Sequence, residues 1–198
     1  MPSLSGKITL YAEKFPEGHV FSPRSFLHMG NRPAVDQALY RLVRKGSMIR
    51  IFQGGYVKAI NTPSGKRSPD LEKVLDSLQK IWMRPIVPSG AFAANSIGLT
   101  DQVPSRLTYL TSGPDRQLSL GELEVDLLHA PPWQLVAPGR LAGTIIRALA
   151  FLGPEETETA LNSIVPGLSE QERADLFSMR SRVPMWIVEP LSAFVKRN

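Results

Sequence analysis

The sequence contains no cysteine among its 198 residues. It therefore forms no disulfide, and no metal site in it has a thiolate ligand. The histidines are scattered singly at His19, His28 and His129, which favours structural roles over metal binding. The sequence also lacks a P-loop and a dinucleotide fingerprint. We expect neither a cofactor, nor a metal, nor a catalytic residue.

Long apolar runs are also absent. No segment is apolar over the length needed to cross a bilayer, and the first 15 residues lack the apolar core of a signal peptide. Hydrophobic residues make up 42% and charged residues 21% of the chain, values typical of a folded globular protein. We expect a cytoplasmic protein without a membrane partner.

The charge is distributed unevenly along the chain. The formal net charge is +5, but residues 1–67 contain eleven Lys and Arg against three Asp and Glu, a balance of +8. Residues 68–198 contain twelve against fifteen, a balance of −3. This asymmetry indicates that a surface for binding polyanions lies in the first third of the chain.

Residues 18–58 carry the most informative pattern. Ser22 followed by Pro23 is a helix-start signal, and residues 29–31 interrupt the short helix that it predicts. A second helix is predicted from Asn31 to Gly46, with the glycine as its C-terminal cap. Two short runs, 48–52 and 55–59, follow around a glycine-containing turn and predict a β-hairpin.

The second helix is predicted to be amphipathic. Its apolar residues recur at the spacing of a buried stripe: Val35, Ala38, Leu39 and Leu42. The opposite face is polar and basic. A basic helix after a turn, followed by a hairpin, is typical of a winged-helix DNA-binding domain. The alternative is an ordinary amphipathic helix with a solvated basic face.

The remaining elements complete an α+β prediction with two domains. A first helix over 5–15 would brace the winged-helix domain, which spans 1–60, and 61–68 is predicted to be a linker. The second domain, 69–198, would contain a helix at its start, a small antiparallel sheet at about 84–130 and helices at about 139–196.

Two stretches of the second domain have chemical alternatives. The small residues of 89–94 predict close helix-to-sheet packing, although a helix N-terminus can also bind phosphate. In the strand predicted over 122–130, Glu122, Glu124 and Asp126 alternate with apolar residues. Paired acids on a strand hold magnesium in nucleotidyltransferases, so a small nucleotidyltransferase or nuclease is the alternative function. A solvated strand face explains the same residues.

Three segments together resemble the AbiEi-type antitoxins of type IV toxin–antitoxin systems. They are GHVFSP at 18–23, AVDQALYRLVRKG at 34–46 and GGY at 54–56. The segment PSGAFAANSIGLTDQVPSRLTYLTSGPDRQLSLG at 88–121 is similar to a second region common in that family. The resemblance covers residues 18–130. The first region alone would match many repressors, so the second carries the specificity.

The resemblance implies a transcriptional autorepressor that is also the antitoxin of an abortive-infection system against phage. Its partners would be double-stranded operator DNA and a nucleotidyltransferase toxin that it does not bind tightly. A plain local regulator without a toxin partner is a further alternative. The candidate DNA-contacting residues are Ser22, Arg24, Arg32, Gln37, Tyr40, Arg41, Arg44, Gln53, Tyr56 and Lys58.

Overall fold

The computed structural model describes residues 2–197 and has a mixed α+β architecture with small antiparallel sheets. Contacts divide the chain into two compact units. Unit 1 comprises the chain through residue 83 together with residues 117–125. Unit 2 comprises residues 84–116 and the chain from residue 126 onward.

The first 83 residues alternate helices with short strands. In chain order the elements are α1 (Leu4–Ala12), β1 (Val20–Phe21), a 3-10 turn (Pro23–Phe26), α2 (Arg32–Arg44), β2 (Met48–Phe52), β3 (Gly55–Lys58), β4 (Ile60–Thr62), β5 (Gly65–Arg67) and α3 (Leu71–Trp82). β1, β3 and β2 form one sheet in that order, with antiparallel pairing at both contacts. The short helix expected after Ser22 is a single 3-10 turn, and α1 ends three residues earlier than predicted.

One apolar cluster joins α1, the 3-10 turn, α2 and the start of β2. The predicted stripe of α2 is fully buried in this cluster, together with Ile8, Phe21, Phe26 and Met48. Each of the larger apolar side chains contributes about 1.5–3 kcal/mol when it is removed from water. Burial of one face of α2 leaves its other face in solvent.

The ends of α2 are capped by the residues that the sequence indicates. Asn31 Oδ1 accepts a 3.0 Å hydrogen bond from the Ala34 amide. At the other end, Gly46 has φ +62°, and the amides of Gly46 and Ser47 donate to the carbonyls of Val43 and Leu42, each at 2.9 Å. This is a Schellman motif, which needs a left-handed residue and so favours glycine.

The segment expected to be a linker has regular structure. Residues 61–68 contain most of an antiparallel hairpin in which β4 pairs with β5, and Ile60 lies opposite Arg67. Thr62 Oγ1 donates to the Gly65 carbonyl at 2.8 Å and closes the turn. Local hydrogen bonding of a Thr side chain stabilises such a turn. The polar residues of this segment therefore belong to a hairpin and not to an irregular linker.

α3 belongs to unit 1, whereas the sequence predicts a domain boundary before it. Its buried face consists of Val74, Leu75 and Leu78. Ser77 Oγ accepts a 2.9 Å hydrogen bond from the Val20 amide and so joins α3 to β1. The helical spacing of the apolar residues predicts the helix. It does not predict which other elements its apolar face packs against.

Unit 2 contains most of a second sheet and the C-terminal helices. The elements that follow α3 are β6 (Ile86–Pro88), α4 (Gly90–Ser96), β7 (Leu107–Thr111), β8 (Arg116–Leu120), β9 (Leu123–His129), a 3-10 turn (Pro132–Leu135), α5 (Leu141–Leu152), α6 (Pro154–Ile164), α7 (Glu170–Ser178) and α8 (Met185–Arg197). The strand order is β6-β7-β9-β8, and these strands lie within the range of about 84–130 that the sequence predicts for the sheet.

The small residues of α4 allow it to lie close to α5. A Cβ atom at Gly90 would come within 2.5 Å of the Arg147 carbonyl oxygen, while Ala93 and Ala94 are buried against Ala148. The close packing expected for 89–94 is therefore present against α5, and the Ser89 amide also donates to the Thr108 carbonyl of β7 at 3.0 Å. Glycine and alanine permit this approach because they carry little or no side chain.

The last helices begin as the sequence indicates. Pro154 opens α6 with Glu155 and Glu156 in its first turn. Ser169 caps α7, where the Glu172 amide donates to Ser169 Oγ at 3.3 Å and Glu172 Oε2 accepts from the Ser169 amide at 2.8 Å. This reciprocal pair is a capping box. None of the helices within residues 2–197 combines the length and apolar character needed to span a membrane.

Candidate nucleic-acid interface

The solvent face of α2 brings together four of the candidate residues. Gln37, Tyr40, Arg41 and Arg44 are all exposed, and Tyr40 retains 59% of its accessible surface despite its large ring. At about 100° of rotation per residue, the four lie within an arc of about 100° around the helix. No side-chain hydrogen bond or ion pair involves Arg41 or Arg44 within residues 2–197, so both guanidinium groups are available for a ligand.

Arg32 lies away from this group. Its Nε atom donates to Asp36 Oδ2 at 2.8 Å in an exposed i,i+4 ion pair. Helical geometry also sets it about 140° around the axis from Gln37. Because Asp36 already neutralises this charge, Arg32 adds less to the basic face than its position in the sequence indicates.

The β2–β3 hairpin places its candidate residues in different environments. Gln53 is exposed at the turn, whereas Tyr56 is half-buried and packs against the core beneath α2. Arg50, which is not among the candidate residues predicted from the sequence, is an exposed cation on β2 opposite Tyr56. The sequence does contain a signal for this residue: Arg50 is the one charged residue in an otherwise apolar strand, MIRIF, and a charge at that position predicts exposure to solvent.

Ser22 and Arg24 flank the start of the 3-10 turn. The Ser22 carbonyl accepts a 3.0 Å hydrogen bond from the Ser25 amide, and the Ser22 amide donates to Ser25 Oγ at 3.2 Å. Ser22 therefore has a structural role in this turn, and its side chain is half-buried. Arg24 is exposed.

Further cations gather near the C-terminal end of α2. Lys66 of β5 donates through Nζ to the Lys45 carbonyl at 3.1 Å and to Ser47 Oγ at 2.9 Å. A positive charge at this end of a helix is favoured by the helix dipole. Lys58 and Lys66 line one cleft of about 230 Å³, and the carboxylate of Glu13 lines it as well.

Other cations of unit 1 are already paired. Glu17 accepts hydrogen bonds from Lys73 at 2.6 Å, from Arg67 at 3.0 Å and from the Asp70 amide at 3.1 Å. The bond from Lys73, with those from the Asp70 amide and Arg67, lowers the pKa of Glu17 from 4.5 to about 2. Arg67 and Lys73 are thus engaged within the protein, unlike Arg41 and Arg44.

The acidic residues of β9 have separate neighbours. Glu124 Oε2 accepts a 3.0 Å hydrogen bond from Ser119 Oγ, and Asp126 lies 3.7 Å from an Arg106 guanidinium nitrogen. Glu122 lies in the turn before the strand. Within residues 2–197, no group of three or more His, Asp and Glu side chains has the geometry to hold a metal ion.

Comparison with known proteins identifies one family. Neither the curated proteins nor the solved structures include a match to this chain. A family described only as a family of unknown function, DUF6088, matches residues 7–176. This span covers most of unit 1 and of unit 2 through α7. The chain therefore belongs to the DUF6088 family.

Proposed function

We propose that the protein is a DNA-binding transcriptional repressor whose unit 1 is a winged helix. The order of elements supports this assignment: α1, β1, the 3-10 turn, α2 and then a hairpin, with the sheet ordered β1-β3-β2. In winged-helix proteins the helix after the turn enters the major groove and the hairpin contacts the adjacent backbone. α2 is the recognition helix in this proposal.

The observation that carries the proposal is the exposed face of α2. Glutamine and arginine are the side chains that form bidentate hydrogen bonds with adenine and guanine in the major groove, and Gln37 and Arg41 are one helical turn apart. The guanidinium groups of Arg41 and Arg44 have no partner in the described part of the chain. A solvated amphipathic helix accounts for the charges but not for their concentration beside an exposed tyrosine.

The remaining cations supply backbone contacts in this proposal. Arg24, Arg50 and Lys58 lie on elements that flank α2, and Lys66 lies beside its C-terminal end. Contacts of this kind position a protein on DNA without reading sequence. Gln53, at the hairpin turn, is a candidate for contact with the minor groove or the backbone.

The resemblance to AbiEi-type antitoxins extends the proposal to a regulatory circuit. The protein would repress its own promoter and would counter a nucleotidyltransferase toxin without a tight complex. The family-specific segment, 88–121, begins at the last residue of β6 and contains α4, β7 and β8, so the antitoxin activity would reside outside α2. Co-expression with a nucleotidyltransferase encoded next to this protein tests the extension, because restored growth is expected.

The DNA-binding proposal is tested by titration of the full chain against a duplex from its own upstream region. We expect the logarithm of the binding constant to fall linearly with the logarithm of salt concentration, with a slope of about −0.9 per neutralised phosphate. A scrambled duplex of equal length is the control and should bind more weakly. Equal affinity for both duplexes would contradict repression at a specific operator, and a flat salt response would contradict DNA binding.

A further inference from the structure

Unit 1 contains a cleft to which the exposed face of α2 does not contribute. Its volume is about 330 Å³, and all of its lining residues belong to unit 1. They come from the start of β1, the 3-10 turn, the β2–β3 hairpin and the last turns of α3: His19, Val20, Phe21, Ser22, Ser25, Phe52, Gly54, Leu78, Ile81 and Trp82. Within residues 2–197, no Asp, Glu, Lys or Arg lines this aromatic cleft.

The apolar groups that a ligand can reach in the aromatic cleft are Phe52, Ile81 and Trp82. The ring centroids of Phe52 and Trp82 are 5.8 Å apart, and both side chains are half-buried. Ile81 retains 51% of its accessible surface. The Phe52 ring lies over Gly55, where a Cβ atom would overlap it, so the ring is held beside the hairpin. A ligand that covers these groups gains the free energy of removing apolar surface from water.

The polar groups of the aromatic cleft are neutral. Ser25 Oγ accepts a 3.2 Å hydrogen bond from the Ser22 amide, and its hydroxyl can also donate. Burial lowers the pKa of His19 from 6.5, so its imidazole is uncharged at pH 7 and has one donor and one acceptor nitrogen. These groups suit a neutral polar substituent, such as an amide.

A second cleft of unit 1 shows the contrast. It has a volume of about 340 Å³ and shares His19, but it is also lined by Glu17, Lys73, Asp76 and Lys80. In the aromatic cleft a charged ligand would lose water without gaining an opposite charge, which is unfavourable. The volume of the aromatic cleft is at the lower end of the range for small-molecule sites, so it suits a molecule of one or two rings.

We propose that the aromatic cleft binds an uncharged aromatic small molecule, whose ring packs against Phe52, Ile81 and Trp82 and whose polar substituent forms hydrogen bonds with Ser25 or His19. An aromatic ring is preferred over a saturated one because aromatic pairs attract each other beyond the effect of area alone. The site would exist whether or not the protein binds DNA.

The experiment is a calorimetric titration of the full chain with benzamide, cyclohexanecarboxamide and benzoate. The saturated amide loses the aromatic ring, and benzoate keeps the ring but carries a negative charge. We expect benzamide to bind, the saturated amide to bind about two- to tenfold more weakly and benzoate to bind at least about tenfold more weakly. Indole-3-carboxamide and its acid form a second pair, for which the same preference for the neutral molecule is expected.

Nuclear magnetic resonance locates the bound molecule. The resonances of the Trp82 indole N–H and the Gly54 amide should shift when benzamide is added. The indole resonances of Trp133 and Trp186, which lie in unit 2, should not shift. Loss of one indole resonance in Trp82→Leu assigns the signal.

Variants connect the binding to the wall of the aromatic cleft. Ile81→Ala shortens an exposed side chain and should weaken benzamide binding about three- to tenfold. Leu10→Ala shortens a similarly exposed side chain of α1 that does not line the cleft, and should leave binding unchanged. Trp82→Leu should bring the affinities of benzamide and cyclohexanecarboxamide within about twofold of each other, whereas Phe92→Leu, an exposed aromatic residue of unit 2, should preserve the difference.

Ile81→Ala keeps the test available if Trp82→Leu does not fold, because the side chain of Ile81 is exposed. Four results would overturn the proposal. They are absence of binding by both aromatic amides, equal binding by the saturated amide, binding of the acids as tight as that of their amides, and resonance shifts confined to Trp133 or Trp186.

Discussion

Glu17 and Lys73 are 56 residues apart in the sequence, and their side chains form a 2.6 Å ion pair. Glu17 precedes β1, and Lys73 lies in the first turn of α3. Gly18, next to Glu17, contacts the same residue through its backbone: a Cβ atom there would come within 2.5 Å of the Lys73 Cβ atom. The turn before β1 therefore meets the start of α3 through both a charge pair and close packing.

The first prediction concerns the pH dependence of stability. The pKa of Glu17 is lowered from 4.5 to about 2 in the folded protein, so its contribution is fully present above pH 4.5 and is lost as the pH falls toward 2. Glu17→Gln should lower the free energy of unfolding at pH 7 by up to about 1 kcal/mol, because the partner charges are half exposed. Urea unfolding of both proteins between pH 2 and 7 measures this difference.

The two unfolding curves should converge at the acid end of that range. Glu13→Gln removes an exposed carboxyl of the same chain segment and is the matched control. A difference between the parent and Glu17→Gln that persists unchanged at pH 2 would show that the charge of Glu17 is not responsible.

The second prediction concerns Gly18 and Gly46, which both have positive φ, +80° and +62° respectively. Gly18→Ala introduces left-handed strain and a clash with the Lys73 backbone, and should cost about 2–4 kcal/mol. At Gly46 a Cβ atom meets open space, so Gly46→Ala should cost only about 1 kcal/mol. Denaturant unfolding of the two variants gives the comparison, and equal losses would contradict the contact with α3.

The third prediction distinguishes base reading from phosphate contact. Arg41→Ala should weaken binding to the operator by about 1–3 kcal/mol and relax specificity at one base pair. Lys58→Ala should weaken binding to specific and random DNA alike, with a shallower salt slope. Parallel titrations on both duplexes measure the two profiles.

Arg180→Ala removes an exposed arginine of unit 2 and serves as the charge-matched control, with little effect expected on either duplex. If Arg41→Ala and Lys58→Ala gave the same profile, the assignment of the Gln37 and Arg41 face to the groove would be wrong.

The fourth prediction concerns the acidic residues of β9. Because Glu124 and Asp126 have separate partners, a combined Glu124→Gln and Asp126→Asn change should alter the free energy of unfolding by no more than about 0.5 kcal/mol. We also expect no response of the melting temperature to magnesium in either protein. A rise of several degrees with magnesium in the parent, lost in the double variant, would instead favour the nucleotidyltransferase or nuclease alternative.

Local signals in the sequence predict the helices and strands well. The cap at Asn31, the glycine at 46 and the buried stripe of α2 each depend on residues within one or two turns, and all three are present in the structure. The capping box at Ser169 is predictable for the same reason. These features establish which face of α2 is solvated, and so they define the candidate DNA-contacting surface.

Features that depend on distant contacts were not predictable. Nothing near Lys73 indicates that Glu17 is its partner, and nothing in α3 shows that its apolar stripe packs with unit 1. The hairpin at 60–67 resembles a linker because its residues are mostly polar and because Pro63 lies in its turn and Gly65 directly follows the turn. Arg147 has a local signal, a single charge in an apolar helix, but its burial without a counter-charge depends on every element around it.

Residues 117–125 belong to unit 1 although they follow part of unit 2 in the sequence. This arrangement limits where the gene can be cut without splitting unit 1. Ser68 Oγ donates to the Leu120 carbonyl at 3.4 Å, so the second contribution to this unit is held to the first by hydrogen bonding as well as by packing. Recombination or a truncation that transfers only the first 83 residues would leave part of the unit behind. A gene fusion that borrows the proposed DNA-contacting surface must therefore carry the intervening residues as well, and the two units are expected to evolve together.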